Sequence, residues 1–165
     1  FGESGRSYYR LAFVTLSIIT ILPYLALILL LPDVRIYLIP KPWIYLTIFL
    51  QFLALVGLLF SFKGTNLLSF IGLDPLLTKT APPANNIFMT GGLYKYSRHP
   101  IYFFSLLFLW LIPQMSWNIL AFTIGVTLYT IIGSRFEEHK LAGEFGQTYI
   151  NYLKVTPWII PIKFE

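Results

Sequence analysis

Two stretches hold nearly every side chain able to do chemistry. The first is Gly91-Gly92-Leu93-Tyr94-Lys95-Tyr96-Ser97-Arg98-His99-Pro100-Ile101-Tyr102. The second is Gly133-Ser134-Arg135-Phe136-Glu137-Glu138-His139-Lys140-Leu141, running on into Phe145-Gly146-Gln147-Thr148-Tyr149. His99-Pro100 reads as a helix start, because proline fits the first turn, where its missing N–H costs nothing. A helix start flanked by Arg98 and His99 is also an anion site, since unpaired N–H groups and the helix dipole favour negative charge there. Each element has a plainer reading beside this one. Glu137-Glu138 could be a solvated helix face, and Tyr94, Tyr96 and Tyr102 could be tyrosines of a membrane interface.

Composition narrows the setting. Of 165 residues, 56% are hydrophobic and only 12% are charged, about half the charged fraction of a soluble domain. There is no cysteine, which excludes disulfides, thiolate metal sites and a cysteine nucleophile. His99 and His139 lack metal-ligand spacing, so no metal is expected. The net charge of +5 is not clustered like a nucleic-acid footprint, and no nucleic-acid partner is expected.

These groups must be positioned by apolar helices. Spans are predicted at 11–31, kinked at Pro23, and at 43–62, where Trp43 and Tyr45 stand as interfacial anchors. Gln51 is alone mid-span and should face another helix. Residues 63–100 read as a long structured loop with a short apolar segment at 67–73. Segments 101–112 and 117–133 read as a helical hairpin turning at Pro113-Gln114-Met115-Ser116. A polar surface helix should follow from Arg135 to Tyr152, with Leu141, Phe145, Tyr149 and Tyr152 on one face and a weak point at Gly146. The expected fold is therefore all-α: one domain over 1–165, a multi-pass transmembrane bundle of about four spans with a C-terminal cytoplasmic surface helix.

Four spans place the N-terminus, the 63–100 loop and the tail on one side. That side then carries Arg6, Arg10, Lys63, Lys79, Lys95, Arg98, Arg135, Lys140, Lys154 and Lys163, against Arg35 and Lys41 opposite. By the positive-inside rule both polar segments are cytoplasmic, where they can build one site.

Arg98-His99-Pro100-x-Tyr102, a short hairpin, Glu137-Glu138 and then Phe145-Gly146-x-x-Tyr149 together resemble the isoprenylcysteine carboxyl methyltransferase-like membrane methyltransferases. The resemblance runs from about 86 to 161, and its specificity lies in the order and spacing of the motifs. A nearer resemblance is to the methanethiol S-methyltransferase/NnrU-like branch, through Pro113 and Met115 in the turn and Gly133-x-Arg135-x-Glu137-Glu138 after it. Phe1-Gly2-Glu3 also fits that branch, in which an earlier helix precedes this segment.

The resemblance implies a helical membrane bundle that binds S-adenosyl-L-methionine at its cytosolic face, within segments 86–102 and 133–152. It implies cofactor contacts at Tyr94, His99, Pro100, Ile101, Tyr102 and Glu137, with the backbone of 86–89 lining the site. Substrate is expected near Arg135 and Gly133. The helix start at His99 suits the cofactor's carboxylate, Glu137 its ribose hydroxyls or adenine amine, and Tyr94, Tyr102 and Phe136 its adenine face. Because Gly133 stands where the carboxyl methyltransferases carry a substrate-associated arginine, a small or lipophilic thiol is the expected methyl acceptor. Membrane lipids are expected as surroundings. Carboxyl methylation of a prenylated cysteine, lipid amine methylation, a sterol-reductase-like chemistry and a non-enzymatic membrane protein are the alternatives.

Overall fold

In the computed structural model the described residues are 15, 19, 22–26, 28–63 and 89–162. The chain divides into two compact units, 1–31 with 64–87, and 32–63 with 88–165. In the first unit residues 22–26 and 28–30 are helical. Most of the expected 11–31 span, the apolar segment 67–73 and most of the 63–100 loop lie outside the described residues.

The second unit begins with a strand, β1 (Arg35–Leu38), and helix α1 (Trp43–Ser61). A 3₁₀ turn (Gly92–Lys95) precedes α2 (Pro100–Trp110), strand β2 (Gln114–Ser116), the long helix α3 (Trp117–Phe145) and α4 (Gln147–Val155).

The two strands correct the all-α expectation. Residues 114–116 do not make a tight turn. They are extended and pair antiparallel with β1, matching Arg35 to Ser116, Tyr37 to Met115 and Leu38 to Gln114. The ladder continues through Ile39 N–H to the Pro113 carbonyl at 2.9 Å, and Pro40 then ends it. This pairing joins the start of α1, the end of α2 and the start of α3 at one end of the unit. Ser116 accepts a hydrogen bond from Ile119 N–H at 3.3 Å and caps α3. Asp33 adds a carboxylate on the Asn118 N–H at 3.1 Å, stabilising at a helix N-terminus.

Helix lengths differ in a way that matters. The 19 residues of α1 give about 28 Å, close to a hydrocarbon core. The 29 residues of α3 give about 44 Å, enough to cross and project beyond. Both are long and apolar enough to cross a membrane, while α2 is a shorter apolar helix. Large apolar side chains on α1 point outward, with Phe49 56% and Leu59 62% exposed. The expected boundary between a span at 117–133 and a polar helix from Arg135 is not a break. Gly133 is accommodated inside α3, and the chain breaks only at Gly146, whose φ of 54° is the left-handed region that favours glycine.

Because α2 is short, its last turn needs partners from elsewhere. The Ile112 N–H turns to the Leu109 carbonyl, and the Phe108 carbonyl instead accepts from the Gln51 amide at 3.0 Å. Gln51 thus faces another helix, as its lone polar character on an apolar span predicts. Six residues further along α1, Gly57 lets the helices close. A β-carbon there would run into the Phe104 ring. Gly57→Ala should therefore destabilise the protein in detergent by about 1–3 kcal/mol, read as a lowered unfolding midpoint. Combining it with Phe104→Leu should recover part of the loss.

Candidate functional site

The site forms at the other end of the same unit, where α2 begins and α3 becomes polar. Gly92 turns the chain with a φ of 60°, a glycine conformation, and the 3₁₀ turn carries Tyr94. Pro100 occupies the first turn of α2, with His99 as the N-cap residue. Here the helix start that the sequence predicts is present.

The chain entering α2 is clamped from behind by the C-terminal segment. Arg98 N–H donates to the Pro157 and Trp158 carbonyls at 2.9 and 3.0 Å, and His99 N–H to the Trp158 carbonyl at 3.2 Å. The Ser97 hydroxyl lies 3.0 Å from the Trp158 carbonyl and 2.8 Å from that of Ile159. The Tyr152 hydroxyl donates to the Tyr94 carbonyl at 2.6 Å. The tail is thus part of the site's frame.

On this frame α3 presents both glutamates to α2. Glu138 is buried, 8% exposed. Its Oε1 lies 2.7 Å from an Arg98 guanidinium nitrogen and 3.2 Å from His99 Nε2. Glu137 is more open, its side chain 43% exposed. It accepts from the Tyr102 hydroxyl at 3.1 Å and stands 3.6 Å from His99 Nδ1. The His99 and Tyr102 rings stack, with centroids 5.2 Å apart and planes 9° from parallel. One imidazole therefore sits between two carboxylates, with a phenol against its face. Adjacent helix positions differ by about 100°, yet both glutamates reach His99, because the two ring nitrogens offer targets in two directions.

The surrounding phenols stay protonated. Burial, and then the Glu137 charge, raise the Tyr94 hydroxyl above its ordinary value. Burial pushes Tyr152 up to about 12 against the opposing pull of Arg98, and Tyr149 is raised chiefly by burial as well. All three act as neutral groups over the ordinary pH range.

Of the sequence-predicted site residues, the structure gathers Tyr94, His99, Pro100, Tyr102 and Glu137. Ile101 contributes through its place in the first turn of α2, where its N–H has no carbonyl four residues back within the helix. Gly133 lies one turn before Glu137, and a β-carbon there would meet nothing within 4 Å. Arg135 stacks on the Trp158 ring at 3.9 Å. Phe136 is 74% exposed. Residues 86–88 lie outside the described residues.

Sequence reasoning set Arg98 beside a helix-start anion site and Glu138 in a glutamate pair, but it did not join the two and missed the 157–159 clamp. A signal for Glu138 was present. Thr123, Thr130, Ser134 and Glu138 are the buried residues of α3, and their spacing of seven, four and four marks one inward polar stripe. The clamp yields a direct expectation. Ser97→Ala removes the hydroxyl donor shared by two carbonyls, and should cost about 1 kcal/mol. It should also speed tryptic cleavage after Lys154, and an unchanged digestion rate would argue against the clamp.

Comparison with known proteins places the chain. It is 37% identical over 83 residues to a methanethiol S-methyltransferase of Pseudomonas deceptionensis, covering 50% of this chain and 32% of that protein. It is 39% identical over 77 residues to methanethiol S-methyltransferase 2 of Bradyrhizobium diazoefficiens, covering 47% and 30%. A methanethiol S-methyltransferase of Mycobacterium tuberculosis is 33% identical over 69 residues, covering 42% and 28%. The matched stretch is thus less than a third of the length of each of these relatives. No solved structure matches the chain. The resemblance to the methanethiol branch is borne out by these relatives. A family profile covers far more of the chain, from residue 5 to residue 144, and the protein belongs to that family, DUF1295, described as a protein family of unknown function.

Proposed function

We propose that this protein is an integral membrane methyltransferase that moves a methyl group from S-adenosyl-L-methionine to a small or lipophilic thiol. The observation that carries the reading is the convergence of His99, Tyr102 and Glu137 at one end of two membrane-length helices, in a chain whose relatives are named methanethiol S-methyltransferases.

The residues present fit the cofactor's chemistry. The first-turn N–H groups of Ile101 and Tyr102 and the positive end of α2 suit a carboxylate. Glu137, half-exposed, suits hydroxyl or amine donors. Tyr94 and Tyr102 offer flat, neutral walls. When bound, the sulfonium supplies an electrophilic methyl group, and in-line transfer from it asks mainly for approach and alignment. The chain's own work is to hold the acceptor in line and exclude water. The open space at Gly133 suits a compact acceptor. A carboxylate acceptor would call for a bidentate cation, and Arg135 is committed to Trp158.

The reading includes four spans with the site on the cytoplasmic side. In the second unit the strand pairing sorts the ends. Arg35 and Lys41 lie at one end, and Lys63, Lys95, Arg98 and Arg135 at the other, as the positive-inside rule requires of a cytoplasmic site. Single cysteines at Arg35 and Lys154, in a chain with no native cysteine, should label from opposite sides of sealed vesicles. Labelling from the same side would overturn this topology.

The activity itself is tested with purified protein, labelled S-adenosylmethionine and a panel of thiols, prenylcysteines and lipid amines. Label should pass to thiols and not to prenylcysteine carboxylates. Binding of NADPH in place of S-adenosylhomocysteine would favour reduction, and binding of neither a scaffold. Glu137→Gln should weaken S-adenosylhomocysteine binding roughly tenfold, as loss of a hydrogen bond to a charged group does, with little change in stability.

A further inference from the structure

We infer that Glu138 is a positioning residue. It fixes His99 as the Nε2–H tautomer and turns the Nδ1 lone pair toward the half-exposed side of Glu137. The function proposed above assigns nothing to Glu138. It rests on that reading only for what would bind beside Nδ1.

Glu138 is 8% exposed, and a carboxylate so buried persists only when paired and hydrogen-bonded. Arg98 supplies the pair at 2.7 Å. An ionised carboxylate can only accept hydrogen bonds. His99 Nε2 at 3.2 Å must therefore be the donor, and in a neutral imidazole the other nitrogen is then an acceptor. That nitrogen, Nδ1, lies 3.6 Å from Glu137 Oε2, too far for a hydrogen bond. The same oxygen already accepts from the Tyr102 hydroxyl.

Each part that could let the ring turn is held. The Arg98 backbone is pinned to Pro157 and Trp158, and that of His99 to Trp158. The imidazole plane is fixed by the stacked Tyr102 ring. Tyr149, on α4, feels both Glu138 and Arg98 as a protonated phenol. The result is a pair of acceptors facing the more open side of the site, Nδ1 and the Glu137 carboxylate. Together they suit the N–H or S–H donor of a bound ligand. With the opposite tautomer Nδ1 would carry the proton, and Nε2 would set a lone pair against a carboxylate oxygen.

The test uses the two-histidine content of the chain. His139 is exposed, and His139→Gln leaves His99 as the single reporter. Protein labelled with ¹⁵N-histidine in lipid nanodiscs should show His99 protonated at Nε2 and bare at Nδ1 at alkaline pH. Glu138→Ala should raise the Nδ1–H population and weaken S-adenosylhomocysteine binding on the order of tenfold, as removal of a partner that orients a metal-binding histidine does. Three results overturn the assignment: an Nδ1–H tautomer in the unsubstituted site, a ring still doubly protonated at alkaline pH, or an unchanged tautomer ratio in Glu138→Ala. The parent spectrum decides the tautomer by itself if Glu138→Ala does not fold. A failed tautomer with intact cofactor binding removes only this inference. A correct tautomer in a protein that binds no S-adenosylhomocysteine removes only the methyltransferase reading.

Discussion

A carboxylate buried where an apolar helix ends must be paired and hydrogen-bonded, and Glu138 is paired with the Arg98 guanidinium and hydrogen-bonded by the His99 ring. Removing a charge from water costs several kcal/mol even after relaxation, and the pair recovers this only with good geometry and further hydrogen bonds. Much of the surrounding structure supplies that geometry. Arg98 and His99 can meet Glu138 only if the chain entering α2 is held still. It is held by backbone hydrogen bonds to residues 157 and 158 and by the Ser97 hydroxyl. The recovery is incomplete, since Arg98 Nε is buried with no hydrogen-bond partner among the described residues. A hydrophobic pair of the same volume would be at least as stable. Its persistence is better explained by orientation of His99 than by stability.

The opposite end of the unit solves a different problem. The 11 residues of α2 reach about 16 Å, roughly half a hydrocarbon core, so the chain leaves helical geometry partway along α1. Backbone that leaves helical geometry beside apolar helices needs its polar groups satisfied by protein. Gln51 answers the Phe108 carbonyl, and β1 answers β2. The short helix has a use. It lets the unit pack α1 closely on α2 through Gly57 and Phe104 while keeping the His99 end fixed against α3.

How much of this is legible in the sequence follows from how local each signal is. Pro100 at the helix start, the lone Gln51 and the break at Gly146 are read from residue chemistry within one element, and each is present. The strands are not legible, because four and three residues are too few to show alternation. The clamp is not legible either. Its acceptors are backbone carbonyls of Pro157, Trp158 and Ile159, and every residue type carries a carbonyl. For the glutamate pair, a rotation of about 100° per residue assumes a single target, and an imidazole has two.

The polar stripe on α3 links the two ends. Thr127 and Thr130 return their hydroxyls to carbonyls of their own helix at 2.7 Å, and Ser134 does so at 3.0 Å. These small groups are largely satisfied within α3 and make little demand for partners, although Thr127 also accepts from Trp110 Nε1 at 3.1 Å and Thr123 Oγ1 is buried with no hydrogen-bond partner among the described residues. The demand begins at Glu137 and Glu138, where the helix has run far enough to project beyond such a layer and the neighbouring segments are polar. A side chain that must be paired is thus placed at the first point along α3 where cations can be supplied. At that same point the half-exposure of Glu137 leaves a way in from solvent. Burial of Glu138 and exposure of Glu137 are set by one residue's rotation along a single helix, so the buried His99 ring meets one enclosed carboxylate and one that reaches solvent.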